Sequence, residues 1–172
     1  GIVFLVFGSM MFWVCLSDIP RQMGFIGNLI VPLAWVLPSL ILYVRRDWFL
    51  DQRLSQKWLI GLQLFRAIGS VFLIENMIGN IPGIFAFPAG IGDLIVALVA
   101  LTVLFRYRDL KEISGNAILL VIVVGFFDFL CAFFFGFTSS DSPVQLFFPD
   151  ISNKVIVFPT GMIPLFLVPY AI

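Results

Sequence analysis

The sequence predicts an all-α polytopic transmembrane bundle, and three observations carry that prediction. Of its 172 residues, 61% are hydrophobic and 12% charged, with a mean hydropathy of +1.10; soluble domains average about 45–50% apolar and about 25% charged residues. The 21 Phe outnumber the 10 basic and 10 acidic residues combined. A chain of this size buries only about two-thirds of its unfolded surface, so water cannot be the solvent for so much apolar side chain. The apolar residues also fall into runs of the length needed to cross a hydrocarbon core of about 30 Å, roughly 20 residues each.

Six runs meet that length, at residues 1–17, 24–44, 57–79, 90–106, 116–137 and 155–172, which makes a single transmembrane domain over residues 1–172. The first is apolar from Gly1 and has neither a basic n-region nor a small-residue cleavage site, which argues against a cleaved signal peptide. The last ends at Ile172 without a polar flank, so residues are expected to be missing at both ends. Pro32 and Pro38 interrupt the second run, and Pro159, Pro164 and Pro169 recur in the last. Each proline removes a backbone donor and bends a helix. Such bends either fit a helix to its neighbours or form a hinge whose freed carbonyls bind a cation. The connection before the fourth run, Gly79 to Ala89, carries no charge and contains Pro82, Gly83 and Pro88. It reads as a partly buried or re-entrant loop, with the fourth helix starting at Pro88-Ala89-Gly90 and Asp93 in its first turn, where a carboxylate complements the helix dipole.

Orientation follows from Lys and Arg, which accumulate in cytoplasmic loops. Arg45, Arg46, Arg53, Lys57, Arg106, Arg108 and Lys111 fall in two links on one side, against Arg21 and Lys154 on the other. Both termini are therefore predicted to be cytoplasmic. No internal repeat is visible, so an inverted-repeat transporter is not supported.

Several function classes drop out. The formal net charge is zero, and no basic patch points to nucleic acid. The chain has no His, which removes His-ligated metal or haem and Ser-His-Asp chemistry. Cys15 and Cys131 share no CxxC spacing, so neither a zinc site nor a disulfide framework is expected. Gly90-x-Gly92 lacks both the GxGxxG pattern and a preceding strand. No cofactor, metal or catalytic motif is predicted.

Four charged residues fall inside runs: Arg66, Glu75, Asp93 and Asp128. Each costs roughly 2.5–3.5 kcal/mol at a helix centre unless it is paired. Helical spacing places Asp128 with Gly125, Cys131, Ala132 and Gly136, opposite Phe126, Phe129, Phe133 and Phe137. Small residues allow close helix approach, so Asp128 points inward and the Phe-rich face meets lipid or a protein partner. Asp93 shares a face with Ala89, Gly90, Ala97 and Ala100, while Arg66 is flanked by Gln63, Gly69 and Ser70. At about 1.5 Å per residue, Arg66 lies about 13 Å above the inner end of its run and Asp128 about 14 Å below the outer end of its own. Arg66 with Asp128 is the expected ion pair, with Asp93 joining it or lining a cavity above; Gln63 and Ser70 complete the polar seam. Glu75 is expected to snorkel or contact a loop. The Pro82, Pro88, Gly90 and Gly92 stretch is the second candidate feature, as a re-entrant loop or helix start.

Residues 63–93, QLFRAIGSVFLIENMIGNIPGIFAFPAGIGD, resemble an uncharacterised family of small bacterial multipass membrane proteins. The resemblance rests on the Q-x-x-R-x-x-G context of Gln63, Arg66 and Gly69, on the Phe85 to Asp93 run, and on the Pro-rich last run FPTGMIPLFLVP. It implies the bacterial inner membrane and brings no activity. It also implies that the chain continues past its last run.

Two functions remain open. One is a non-catalytic accessory or structural subunit docked on a larger membrane complex, with a membrane-protein partner or a second copy of itself. The other is a small proton- or cation-coupled carrier or channel that uses the Arg66, Asp93 and Asp128 seam.

Overall fold

The computed structural model describes residues 9–10, 12–14, 16–17, 30–47, 55–141, 143–155, 161 and 163. Among these the protein is helical, with no strand. Helix α1 spans Ile30–Val44, α2 Gln56–Leu62, α3 Val71–Met77, α4 Gly83–Arg106 and α5 Gly115–Thr138, with a 3-10 segment at Gln63–Ser70. Helix α2, the 3-10 segment and α3 run on as one rod, Gln56–Met77. That rod, α4 and α5 are the three helices long and apolar enough to cross a membrane.

The expected six spanning helices are therefore not what the described residues show. Helix α1 is described over 15 residues, and its backbone stays helical through Pro32 and Pro38. Residues 24–29, most of the 1–17 run including Cys15, and nearly all of the 155–172 run with Pro159, Pro164 and Pro169 lie outside the described residues.

The largest correction concerns the expected re-entrant loop. Helix α3 ends in a glycine cap: Gly79 takes φ +80°, its N–H donates to Asn76 O, and the Asn80 N–H donates to Glu75 O. These are the two bonds of a Schellman motif, in which only glycine adopts the left-handed position without penalty. Asn76 Nδ2 donates to Ile81 O at 2.9 Å and closes the turn. Pro82, extended at φ −72° and ψ 144°, then caps α4, its carbonyl accepting from the N–H groups of Phe85 and Ala86. Gly83–Ala89 is thus helix rather than loop, and Pro88 lies inside α4. Glycine and proline read as breakers in water, yet transmembrane helices carry them where neighbouring helices satisfy the backbone. Here packing decides: Ile81, Phe85, Ala86 and Ala89 are buried, and the Phe72 and Phe85 rings meet edge to face at 5.2 Å.

Small residues let α4 sit close to its neighbours. A side chain at Gly90 would stand 2.8 Å from Leu73 Cγ and 3.3 Å from Gly69 O. At the basic end Ile60, Ala100, Val103, Ile113 and Val121 form one buried cluster. The α4–α5 link is tied to the start of α2 there: Lys57 Nζ donates to Arg108 O at 2.7 Å and Gln56 Oε1 accepts from Ile113 N at 3.0 Å. Ser114 caps α5, its Oγ accepting from Ala117 N at 3.3 Å and pairing with Tyr107 OH at 2.7 Å.

The far end of α5 turns back through a buried polar knot. The hydroxyls of Thr138, Ser139 and Ser140 donate to the carbonyls of Phe134, Phe135 and Gly136. Asn153 Nδ2 donates to Ser139 Oγ at 2.8 Å, and the N–H groups of Leu146 and Phe147 donate to Thr138 O.

Candidate functional site

Arg66, Asp93 and Asp128 converge on one another from three helices. Arg66 is the eleventh residue of the rod Gln56–Met77, Asp93 the eleventh of α4 and Asp128 the fourteenth of α5, so each lies near the middle of its helix. The expected position of Asp93, in a first helical turn toward the outer side, is corrected by the earlier start of α4. Helix-dipole compensation therefore does not explain this carboxylate, and its partner does.

The guanidinium bridges both acids. Arg66 Nε donates to Asp93 Oδ1 at 2.8 Å, Nη2 donates to Asp128 Oδ2, and Nη1 reaches Gly125 O at 3.3 Å. The three side chains are 16%, 12% and 5% exposed. A planar fork with fixed donors suits this task, because it presents separate nitrogens to the two carboxylates in a preset geometry, which the point charge of a lysine lacks. Asp128 Oδ1 is buried and accepts no hydrogen bond from the described residues.

Two glycines make room for the acids. A Cβ on Gly69 would fall on the Asp93 carboxylate, and one on Gly92 on Asp128 Oδ1. At Gly125 a Cβ would stand 3.4 Å from Arg66 Nη1. The winding of Gln63–Ser70 contributes as well. At about three residues per turn, residues three apart eclipse, so Gln63, Arg66 and Gly69 lie along one line of the rod. The Q-x-x-R-x-x-G spacing has the period of a 3-10 helix, a signal that the α-helical reading of the sequence passed over.

Other predicted residues take different places. Gln63 is half-buried. Ser70 gives its hydroxyl to Ala67 O at 2.8 Å within its own segment, so this bond does not extend the seam. Glu75 is buried, 8% exposed, and accepts from Asn80 Nδ2 at 2.8 Å in the following loop. Pro82 caps α4, Pro88 and Gly90 lie within it, and Gly92 seats Asp128. Phe126, Phe129, Phe133 and Phe137 form a ladder with successive ring centroids 6.5, 6.3 and 4.6 Å apart. Phe126 is 60% exposed, whereas the other three are half-buried. The exposed apolar strip of α5 runs instead through Ile122, Phe126, Phe127, Leu130 and Phe134.

Sequence reasoning missed the Gly125 carbonyl as a third ligand of Arg66, and the knot of Thr138, Ser139, Ser140 and Asn153. The clue to the first was the small residue one turn before Asp128; the clue to the second was the hydroxyl run closing a Phe-rich helix. Among the described residues no group of three His, Cys, Asp or Glu side chains is placed to hold a metal ion.

Residues 25–172 match a family described as "Domain of unknown function (DUF8737)". No curated protein matches the chain, and no solved structure does. The matched region holds Arg66, Asp93, Asp128 and the glycines that seat them, and it takes in most of the sequence: the chain belongs to the DUF8737 family.

Proposed function

We propose that this chain is a non-catalytic multipass protein of the bacterial cytoplasmic membrane, acting as an accessory or structural subunit of a larger membrane complex. In this reading six segments cross the bilayer, with a lipid-facing exterior and both termini in the cytoplasm. Seven of the ten basic residues in the two links of one side support the orientation.

The observation that carries the reading is the engagement of Arg66. Its Nε, Nη1 and Nη2 donate to Asp93, Gly125 O and Asp128, so the triad works as a clamp that fixes three helices relative to one another. In lipid the hydrophobic effect between helices is absent, and packing with polar contacts must set their order. The exposed strip of α5 is then the surface through which a partner is met.

The test is the native mass of the protein extracted gently from its own membrane. A stable heteromeric assembly is expected, released by Phe126→Asn without unfolding of the chain. A monomer alone, or an assembly indifferent to that substitution, would overturn the reading.

One observation favours the second reading, a small proton- or cation-coupled carrier. Asp128 Oδ1 is buried without a hydrogen-bond partner among the described residues, and ionisable groups at membrane depth mark ion paths. Proteoliposome flux abolished by Asp128→Asn in folded, abundant protein would carry that reading.

A further inference from the structure

The 3-10 segment at the centre of the rod is eight residues long, whereas runs beyond 3–4 residues are uncommon because the i→i+3 bond geometry is poorer than that of an α-helix. Both of its flanks are α-helical, and lipid offers no competing donors or acceptors, so rewinding to α would improve every backbone bond in the segment. Something outside the segment's own backbone therefore holds the tighter winding.

The segment is held at three points. Arg66, in the middle of the segment, is fastened to α4 and α5 by its bonds to Asp93, Gly125 O and Asp128, and Gly69, one 3-10 turn later, lies directly under the Asp93 carboxylate. Both ends are anchored too. Gln56 and Lys57 hold the α4–α5 link at Ile113 N and Arg108 O, and α3 is held by the Phe72–Phe85 contact and its glycine cap. The segment is thus extended between two fixed ends with the ion triad at its midpoint.

We propose that Gln63–Ser70 is a two-state winding element: clamped by Arg66 on Asp93 and Asp128 it is a 3-10 helix, and released it rewinds to α, which draws α2 away from the α4–α5 link at the basic end. The geometry sets the size of the motion. The rise falls from about 2.0 to about 1.5 Å per residue, so eight residues shorten the rod by about 4 Å and turn its two ends relative to each other. The link that receives this motion carries Arg108 and Lys111, so the state of a buried triad becomes readable at the membrane surface. This holds whether the protein is a subunit or a carrier, and its test is separate from both.

Spin labels at Trp58→Cys and Ile74→Cys, residues 63% and 56% exposed on either side of the segment, report the length of the rod. The chain carries Cys15→Ala and Cys131→Ala and is reconstituted in nanodiscs. With the triad intact the label separation exceeds that of an uninterrupted α-helix by about 4 Å. The neutral variant Arg66→Gln/Asp93→Asn/Asp128→Asn, which leaves no buried charge, is expected to shorten it by that amount. Should this variant fail to fold, Arg66→Lys keeps the charge but lacks the planar fork that reaches Asp93, Gly125 O and Asp128 from three separate nitrogens, and the same shortening is expected. An unchanged distance in whichever variant folds, or an all-α distance in the intact chain, overturns the proposal.

Discussion

Gly69→Ala tests the clamp at the point where the structure leaves least room. A Cβ there would land on the Asp93 carboxylate, 2.6 Å from its Cγ and 2.8 Å from its Cβ. The clash is with the root of a side chain that is itself held by Arg66, so relief requires either that the rod and α4 separate or that Asp93 turn away. Overpacking of this kind costs about 1–3 kcal/mol, and losing the bond from Arg66 Nε to Asp93 costs about 1.5–3 kcal/mol. The expected loss is about 3 kcal/mol, roughly a hundredfold in the unfolding equilibrium. Gly61→Ala on the same rod is the control. Nothing stands within 4 Å of a Cβ there, and replacing a mid-helix glycine by alanine gains up to about 1 kcal/mol. Reversible unfolding of the two variants in bicelles, followed by steric trapping, measures both. Stabilities of Gly69→Ala and Gly61→Ala within about 0.5 kcal/mol of each other, the ordinary error of such comparisons, would refute the packing argument.

Two further outcomes follow from polar contacts away from the triad. Asn153→Ala removes the bonds to Ser139 Oγ and Gly136 O and the acceptor for Val155 N, a loss of about 1–3 kcal/mol of local stability; hydrogen exchange at the Leu146 and Phe147 amides should rise at least tenfold, while the α4 amides stay unchanged. Ser114→Ala deletes the cap of α5 and the partner of Tyr107 OH, which should cost about 1 kcal/mol and speed exchange at Ala117 and Ile118 without affecting the triad.

The all-helical class and the apolar spanning segments were legible because composition and run length report the solvent directly. The members of the triad were legible because a charge in an apolar run must find a partner, and the small residues beside Asp93 and Asp128 pointed to the interior face. Gly83–Ala89 was not, since breaker residues were weighed as they act in water, whereas buried Phe85, Ala86 and Ala89 give that stretch its helical form. The depth of Asp93 is obscured for the same reason: a start at Gly90 puts it in a first turn, whereas α4 begins seven residues earlier at Gly83. The 3-10 winding was hidden for a different reason: residues spaced by three are neighbours in an α-helix too, and only the contacts of Arg66 and Gly69 with another helix separate the two. The knot at Asn153 joins residues fourteen apart, a pairing that no local pattern announces.

The central claim is that Arg66 holds Asp93 and Asp128 together as one unit, and a double-mutant cycle tests it most directly. Unfolding free energies in bicelles are measured for Arg66→Gln, Asp128→Asn and the pair. Breaking a buried ion pair from one side costs about 3–5 kcal/mol, so each single variant should be strongly destabilised and the double variant far less than their sum, with a coupling above about 1.5 kcal/mol. Additivity within about 0.5 kcal/mol would show that the two residues act independently, and would contradict the clamp.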